Sequence, residues 1–380
     1  MCIPFLPLYL KELGVEGEAA LSRWSGVIVG VGLLACGLCT PFWGWLADRH
    51  GRKLMLVRAI VGVGLALFVM SRVQTPGQLL LGRVLHGVMG GIVSSTVFLA
   101  ATSVPRKRLG ACLGILESGL IAANVIGPLA GGLLADRLGY RPVFAAGAFM
   151  TWGCLLVAVP LVRDTRSPGE GSPGSVTENM RLVLRSPQLL GVATAQLFVM
   201  AVVFLIGPVL PLFVEALGAP AGRVATYTGA VLAATAMARF VSSPFWGRRG
   251  DLGSHKASLL WCLLGSAALF VPQAMAVSLA QLLAFRVLWG LFSGGVAPTC
   301  QTLVSTVTPP ARTAGVLSAI AGIYLSGGAL APMIGGQIAA WAGIRVTFVI
   351  AGALTLAAWF VVRRKVRDPV ELEPVTEVGM

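Results

Sequence analysis

The sequence predicts an all-α polytopic membrane protein that consists of two bundles of six helices. Three observations support this fold class. Of the 380 residues, 56% are hydrophobic and only 12% are charged, which leaves too little polar surface to cover a soluble protein. Apolar segments long enough to cross a bilayer recur along the whole chain. The second part of the sequence also repeats patterns of the first part.

Eleven apolar segments have the length of about 20 residues that a membrane helix requires. They lie near residues 23–46, 54–73, 78–101, 109–134, 142–162, 188–214, 224–247, 257–277, 279–303, 313–338 and 343–362. Met1 to Leu10 is apolar, but it is too short to cross a bilayer and charged residues follow it. We interpret it as the end of a truncated first helix. Its missing part reflects either a real truncation or a misplaced start codon.

Five short patterns occur twice, at separations of 203 or 204 residues. The pairs are Leu6-Pro-Leu-Tyr9 with Leu210-Pro-Leu-Phe213, Pro41-Phe-Trp-Gly44 with Pro244-Phe-Trp-Gly247, Arg83-Val-Leu with Arg286-Val-Leu, Pro128-x-x-Gly-Gly132 with Pro332-x-x-Gly-Gly336, and Arg141 with Arg345. Because an even number of helices separates equivalent points, both halves have the same orientation, as in a parallel repeat.

The repeat predicts the domain organisation. We expect an N-terminal bundle over residues 1–162, with its first helix partial, and a C-terminal bundle over residues 188–365. Residues 163–187 contain Ser-Pro-Gly-Glu-Gly-Ser-Pro-Gly and are typical of a flexible linker. Residues 366–380, which combine acidic residues with prolines, are expected to form a disordered tail.

Basic residues predict the orientation of the chain. Nineteen Lys and Arg residues fall in loops on the side of residues 44–53 and the C-terminus, against seven on the opposite side. Such an excess is typical of cytoplasmic loops, so we expect residues 44–53, the linker and the C-terminus in the cytoplasm. The net charge of +14 is therefore explained by membrane topology, and we expect no nucleic-acid partner.

Residues 44–53, Gly-Trp-Leu-Ala-Asp-Arg-His-Gly-Arg-Lys, form a run of charges and glycines between two apolar spans. So polar a segment is unstable in hydrocarbon, and we predict a short turn at the membrane surface. The pattern resembles the signature loop of the major facilitator superfamily. The resemblance implies a cytoplasmic gate in which the Asp48 carboxylate meets the N-terminus of a helix that begins near Thr313. The gate residues would be Gly44, Asp48, Arg49, Gly51, Arg52 and Lys53. A simple positively charged anchor is the alternative.

The fifth span contains the sequence Ala-Asn-Val-Ile-Gly-Pro-Leu-Ala-Gly-Gly at residues 123–132. It resembles the antiporter signature of the same superfamily, Gly-x-x-x-Gly-Pro-x-x-Gly-Gly, and departs from it only at Ala123. Small residues let helices approach closely, and a proline removes one backbone hydrogen bond. We therefore expect a pliable, tightly packed seal on the outer side, with ordinary close packing as the alternative. The residues concerned are Asn124, Gly127, Pro128, Gly131 and Gly132.

Candidate proton-coupling residues lie in the fourth and fifth spans. Arg83-x-x-His86-Gly87 is similar to the proton-coupling segment of the superfamily. Glu117 lies about 12 Å from the cytoplasmic end of its span, where an ionised carboxylate is costly and reversible protonation is plausible. An arginine keeps its proton, so Arg83 would act on a neighbouring acid. Alternatively, Glu117 is a structurally paired acid and His86 a packing residue.

Four further polar residues of the spans are candidate contacts in a substrate cavity. Arg286 is the repeat equivalent of Arg83, and pairing or snorkelling to the interface is its alternative role. Amide and aromatic side chains in spans commonly serve packing instead. The candidates are Gln196, Arg239, Arg286 and Tyr324.

Together these patterns resemble the drug:proton antiporter branch of the major facilitator superfamily. The resemblance implies a monomer of the major facilitator fold in the bacterial inner membrane that exports amphipathic small molecules by alternating access. The proton gradient would supply the energy, with no cofactor and no metal. A metabolite or siderophore exporter, an importer, or a non-transporting membrane sensor are the alternatives. An enzyme is not expected, because the spans offer no nucleophile with a base and no cluster of metal ligands.

Overall fold

A computed structural model of the chain describes residues 3–93, 95, 96, 99, 106–162 and 176–367. A short 3-10 turn, Ile3–Phe5, precedes the first helix. The helices of the first half are α1 (Leu6–Glu12), α2 (Glu18–His50), α3 (Arg52–Arg72), α4 (Pro76–Met89), α5 (Arg106–Leu138) and α6 (Tyr140–Leu161). Residues 92, 93, 95, 96 and 99 are also helical.

The second half begins with α7 (Val176–Arg185), an amphipathic helix that precedes the next span. It continues with α8 (Pro187–Ile206), α9 (Leu210–Ala216), α10 (Val224–Leu252), α11 (His255–Ala268), α12 (Phe270–Met275), α13 (Leu279–Ser293), α14 (Val296–Val307), α15 (Pro310–Gly328), α16 (Ala331–Ala342) and α17 (Ile344–Lys365). The described residues form helices and no strand, which confirms the predicted all-α class.

Nine segments of the described chain are long and apolar enough to cross a membrane. They are Glu18–Thr40, Lys53–Arg72, Ser118–Leu138, Tyr140–Leu161, Pro187–Ile206, Val224–Leu252, His255–Met275, Leu279–Val307 and Ile344–Lys365. These nine agree with nine of the eleven predicted spans. The predicted span 78–101 falls partly outside the described residues. The predicted span 313–338 is divided between α15 and α16 and contains the shorter apolar helix Gly315–Leu325.

The predicted surface turn at residues 44–53 is much shorter than expected. Helix α2 continues to His50 and α3 begins at Arg52, so the chain reverses at Gly51 alone. Gly51 has a φ of 98°, a conformation that is costly for any residue with a Cβ. Most of the segment therefore forms the last turns of α2, and the glycine is what permits so tight a reversal.

Matching hydrogen bonds show the internal repeat in three dimensions. The indole Nε1 of Trp43 donates to the carbonyl of Val88 at 2.7 Å, and that of Trp246 donates to the carbonyl of Leu291 at 2.7 Å. Both members of the second pair lie 203 residues after those of the first. The same sequence pattern thus fixes the same helix contact in each half.

The repeat also extends to helix caps. The Thr75 hydroxyl accepts a hydrogen bond from the backbone N–H of Gln78 at the start of α4. The Ser278 hydroxyl accepts one from Gln281 at the start of α13. Both distances are 3.3 Å, and side-chain caps of this kind satisfy N–H groups that a helix start leaves unpaired. Helices α4 and α13 therefore begin at equivalent points.

The contacts divide the described chain into two compact units. The first combines the described residues of Met1–Gly169 with Gly207–Ala233 and Pro332–Trp341. The second contains those of Glu170–Ile206, Ala234–Ala331 and Ala342–Met380. The first unit thus joins the helices of the first half to α9, the start of α10 and most of α16. The domain boundaries expected from the sequence, 1–162 and 188–365, stay a prediction.

Each unit has its own apolar core. In the second unit, fully buried side chains from several helices, among them Val192, Leu263 and Val304, form one cluster. In the first unit, Leu56 and Ile60 of α3 pack with Ala158 of α6. These cores hold the helices that position the polar residues of the spans.

Candidate functional site

Arg83 and His86 form a hydrogen-bonded pair on α4. The Arg83 side chain is 4% exposed, and its Nη1 lies 3.0 Å from Nδ1 of His86. A guanidinium group only donates hydrogen bonds, so the His86 Nδ1 accepts here and carries no proton. Protonation of the ring at Nδ1 would remove this hydrogen bond. The pair therefore couples the protonation of a histidine to the position of a buried cation.

Close contact between α2 and α4 fixes the Arg83 side chain. A Cβ at Gly32 of α2 would lie 2.7 Å from Nε and 2.8 Å from Cγ of Arg83. A Cβ at Gly87 would collide with the carbonyl oxygen of Gly32. The two glycines thus allow the helix backbones to approach, and the Arg83 stem lies directly against α2.

The predicted acid Glu117 lies in α5, but its side chain is outside the described residues. Its predicted relation to Arg83 therefore stays a prediction. Asn124, seven residues further along the same helix, is exposed, and its Nδ2 donates to the carbonyl of Leu120 at 2.9 Å. The amide of Asn124 is thus bonded within its own helix.

A seam of small residues joins α5 of the first half to α10 of the second. A Cβ at Gly132 would collide with the carbonyl oxygen of Ala225, and a Cβ at Gly229 would collide with that of Pro128. Pro128 lies inside α5. Gly127, Gly131 and Gly132 are buried. The antiporter-like residues of α5 therefore lie where its backbone touches that of α10.

A second seam joins α2 to α16. A Cβ at Gly26 would collide with the carbonyl oxygen of Pro332, and a Cβ at Gly336 would collide with that of Ser22. These four positions are the repeat equivalents of the four in the α5–α10 seam, at 203 or 204 residues. The sequence contains the Pro-x-x-Gly-Gly pattern twice, but it gives no local signal that Gly26 and Gly336 are in contact with the other half.

Asp136, near the end of α5, caps the N-terminus of α10. Its Oδ1 accepts from the N–H of Ala225 at 3.2 Å, and its Oδ2 accepts from the N–H of Thr226 at 2.6 Å. A carboxylate at this point satisfies unpaired N–H groups and interacts favourably with the helix dipole. Its repeat equivalent is Ala340, so this cap is specific to one seam. No local pattern in the sequence marks Asp136 as a cap.

An ion pair joins α1 to α9. The Lys11 Nζ lies 2.6 Å and 2.7 Å from the two carboxylate oxygens of Glu215, with side-chain exposures of 42% and 38%. The two residues are 204 positions apart, which makes them repeat equivalents of opposite charge. That opposite charge at equivalent positions is the sequence signal that would have suggested the pair.

The gate residues predicted at the end of α2 are described only in part. The Lys53 Nζ donates to the carbonyl of Val159 on α6 at 2.7 Å, and Arg49 is exposed. The side chains of Asp48 and Arg52, and the surroundings of Gly44, fall outside the described residues. The predicted contact of Asp48 with a helix N-terminus therefore stays a prediction.

Arg58 of α3 joins three helices near this end, a role that the sequence did not reveal. Its guanidinium lies 3.7 Å from the centre of the Trp43 ring. Its Nη1 and Nη2 donate to the carbonyls of Met89 and Gly90 at 3.3 Å and 3.1 Å. Arg58 thus bonds carbonyls that the end of α4 leaves unpaired.

The four candidate cavity residues all belong to the second unit. Gln196 hydrogen-bonds with the Cys300 thiol, and Tyr324 packs against the apolar core. Arg239 is half-buried, whereas Arg286 is only 5% exposed. Gln196 and Tyr324 therefore have clear packing roles, and the two arginines are the more unusual members of this set.

A sequence model described as Major Facilitator Superfamily matches residues 1–238 and residues 192–378. The chain belongs to the major facilitator superfamily. It is therefore a multi-pass membrane transporter and not an enzyme, as the sequence had suggested.

Named relatives and solved structures agree with this assignment. A Multidrug resistance protein MdtG from Escherichia fergusonii is 33% identical over 374 residues, covering 97% of this chain and 91% of the relative. An Escherichia coli protein of the same name is 33% identical over 370 residues, covering 96% and 91%. A D-xylose-proton symporter shares the fold with a TM-score of 0.73 at 16% identity, covering 97% of this chain and 93% of that one. The human organic anion transporter MFSD10 (TETRAN) gives 0.68 at 20% identity, covering 95% and 94%.

Proposed function

We propose that this transporter exports amphipathic compounds in exchange for protons by alternating access. The name of the relatives, Multidrug resistance protein MdtG, supports a drug-like cargo. The observation that carries the proposal is the pair of repeat-related seams in the first unit, where glycines of one half meet backbone carbonyls of the other.

Such seams are suited to a gate that opens and closes. In a bilayer, helices associate through close packing of small residues rather than through a hydrophobic driving force. Contacts between glycine and a carbonyl are individually weak. Separation of the helices at a seam would break no side-chain hydrogen bond at the glycines. The free energy needed to open the seam is therefore small, as a transport cycle requires. The Asp136 cap and the Lys11–Glu215 pair would add polar contacts that close the same end.

Proton coupling is assigned to α4 and α5. In this proposal Glu117 carries the proton, and Arg83 responds to the charge of that acid. The hydrogen bond from Arg83 to His86 supports this role, since it requires an unprotonated Nδ1. A proton that reaches His86 would release Arg83 to pair with an ionised carboxylate. The proton gradient supplies the energy, and no cofactor is required.

The orientation of the chain in the membrane decides which gate faces which side. The excess of basic residues favours the end of α2, the linker and the C-terminus in the cytoplasm. The seams then lie on the outer side of the bacterial inner membrane, and residues 44–53 form the cytoplasmic gate. We propose that the protein works as a monomer, since each transport pathway lies within a single chain of this fold.

Replacing Glu117 with glutamine is expected to abolish proton-driven uptake into inverted vesicles, because the amide keeps the shape of the acid but cannot carry a proton. The assay would follow a panel of cationic, neutral and anionic amphiphiles, together with metabolites and siderophores, with and without a pH gradient. Glu16→Gln, in the exposed segment between α1 and α2, is the matched control and should retain activity. Full activity of Glu117→Gln would remove Glu117 from the mechanism, and uptake limited to a metabolite or siderophore would contradict drug export.

Replacing Gly32 with alanine is expected to reduce proton-driven transport by about tenfold, because overpacking of a tight contact costs roughly 1–3 kcal/mol. The new methyl group would displace the Arg83 stem and lengthen its hydrogen bond to His86. Initial transport rates, normalised to the amount of protein in the membrane, measure this effect. Gly37→Ala on the same helix, where a Cβ meets no atom within 4 Å, should transport normally. Equal rates for the two variants would show that the position of Arg83 is unimportant.

A further inference from the structure

Arg286 on α13 is a buried cation whose hydrogen-bonding groups are incompletely satisfied. The residue is 5% exposed. Its Nε and Nη2 are fully buried and have no hydrogen-bond partner in the described part of the chain. A buried charge without a partner is strongly destabilising, because its desolvation is uncompensated. We therefore expect a negative charge next to the Arg286 guanidinium.

The first half of the molecule contains the hydrogen-bond acceptor that Arg286 lacks. There the equivalent residue, Arg83, donates to the Nδ1 of His86. In the second half the position of His86 is taken by Trp289, whose indole N–H only donates. The Nε1 of Trp289 is likewise buried without a partner among the described residues. The second half therefore has a hydrogen-bond donor, the Trp289 indole, at the position where the first half has an acceptor, the His86 imidazole.

The surrounding sequence cannot supply the acid that would neutralise Arg286. There is no aspartate or glutamate from Leu252 to Arg367, a range that contains all of α11 to α17. The exposed Arg345 near the start of α17 adds a further positive charge, and it donates to the carbonyl of Ala274 on α12. Since every helix from α11 onwards lacks a carboxylate, the counter-charge has to come from outside this part of the protein.

Aromatic rings form the walls around the guanidinium. The Arg286 Cζ lies 5.6 Å from the centre of the Trp289 ring and 5.5 Å from that of Phe348. The Phe270 ring lies 5.7 Å from the Trp289 ring. Ring faces attract a cation, but they accept no conventional hydrogen bond from its buried N–H groups.

We propose that a small inorganic monovalent anion, of which chloride is the biological example, binds beside Arg286 in the second unit. Arg286 supplies the charge, and the indole N–H of Trp289 supplies a further donor. The burial of Arg286 and Trp289, each 5% exposed, excludes a drug-sized ligand. Aromatic walls favour a weakly hydrated halide over phosphate or sulfate, whose charged oxygens need many donors. In this proposal Arg286 binds an anion and is no longer a candidate contact for the cargo.

The test is the thermal unfolding of the full-length protein in lipid nanodiscs, in sodium chloride or sodium bromide against sodium gluconate at equal ionic strength. A ligand that binds only the folded state raises Tm in a saturable way, and we expect a rise of about 3 °C in either halide. Arg286→Gln should abolish the difference between the salts, and Trp289→Phe should shift it to higher halide concentrations. Arg239→Gln removes a different intramembrane arginine of the same unit and should keep the full difference.

Two further measurements test anion binding without the Arg286→Gln variant, which is important if that variant does not fold. Trp289→His recreates the acceptor found in the first half and should remove the halide dependence, because the imidazole then accepts from Arg286. Crystals of the unaltered protein grown in bromide should give an anomalous peak within about 4 Å of the guanidinium, the range of a charge-assisted contact. Equal Tm values in chloride and gluconate, or water in place of bromide beside Arg286, would overturn the proposal.

Discussion

Replacing Gly132 with alanine is expected to slow transport by roughly tenfold to a hundredfold, which corresponds to an overpacking cost of about 1–3 kcal/mol. The added methyl group would collide with the carbonyl oxygen of Ala225. Both atoms belong to helix backbone regions that cannot rotate away, so α5 and α10 would have to separate. A protein that cannot close this seam would be held in states open at that end and could not complete the cycle. Initial rates of cargo efflux, per amount of protein in the membrane, measure the effect.

The structure offers two comparisons for this variant. Gly119 lies on the same helix, and a Cβ there would meet no atom within 4 Å, so Gly119→Ala should transport normally. Gly336 is the repeat equivalent of Gly132, and Gly336→Ala should be impaired to a similar degree because its Cβ would collide with the carbonyl of Ser22. Normal transport by both Gly132→Ala and Gly336→Ala would show that the seams do not act as a gate.

The features that the sequence predicts well depend on local composition or on the repeat. Apolar length alone predicts nine of the spans that the described chain contains, because hydrocarbon imposes one length on every helix that crosses it. The paired hydrogen bonds of Trp43 and Trp246 follow from a pattern that occurs twice. Where a residue and the residues around it both occur in the two halves, a contact in one half predicts the same contact in the other.

The features that the sequence misses depend on how distant parts of the chain meet. Asp136 bonds to residues about 90 positions away, and Lys11 pairs with a residue 204 positions away. Neither contact has a local signal in composition or periodicity. Helix α2 is longer than the span 23–46 predicted from the sequence and extends to His50, because charged residues at the end of a helix have the composition of a loop. Only the structure shows that Gly51 alone makes the turn.

Replacing Asp136 with alanine is expected to favour states in which the α5–α10 seam is open, by about tenfold. A side-chain cap contributes roughly 0.5–2 kcal/mol, and a carboxylate adds a favourable interaction with the helix dipole. Both are lost when the N–H groups of Ala225 and Thr226 lose their acceptor. A cysteine at Thr228, which is fully buried next to Gly229 of the α5–α10 seam, reports opening through its reaction with a membrane-impermeant thiol reagent. The labelling rate above that of the parent protein is the measurement.

Two further variants distinguish the effect of the Asp136 helix cap from that of the Lys11–Glu215 ion pair. Asp136→Asn keeps an acceptor for one N–H but loses the charge, so its labelling rate should lie between those of the parent and Asp136→Ala. Glu215→Gln breaks the half-exposed ion pair with Lys11. Exposed pairs contribute about 0–1 kcal/mol, so that variant should label less than Asp136→Ala. If Glu215→Gln increases labelling more than Asp136→Ala does, the ion pair and not the helix cap holds this end closed. The cap has the stronger physical basis, because its carboxylate bonds two N–H groups that no other described side chain satisfies.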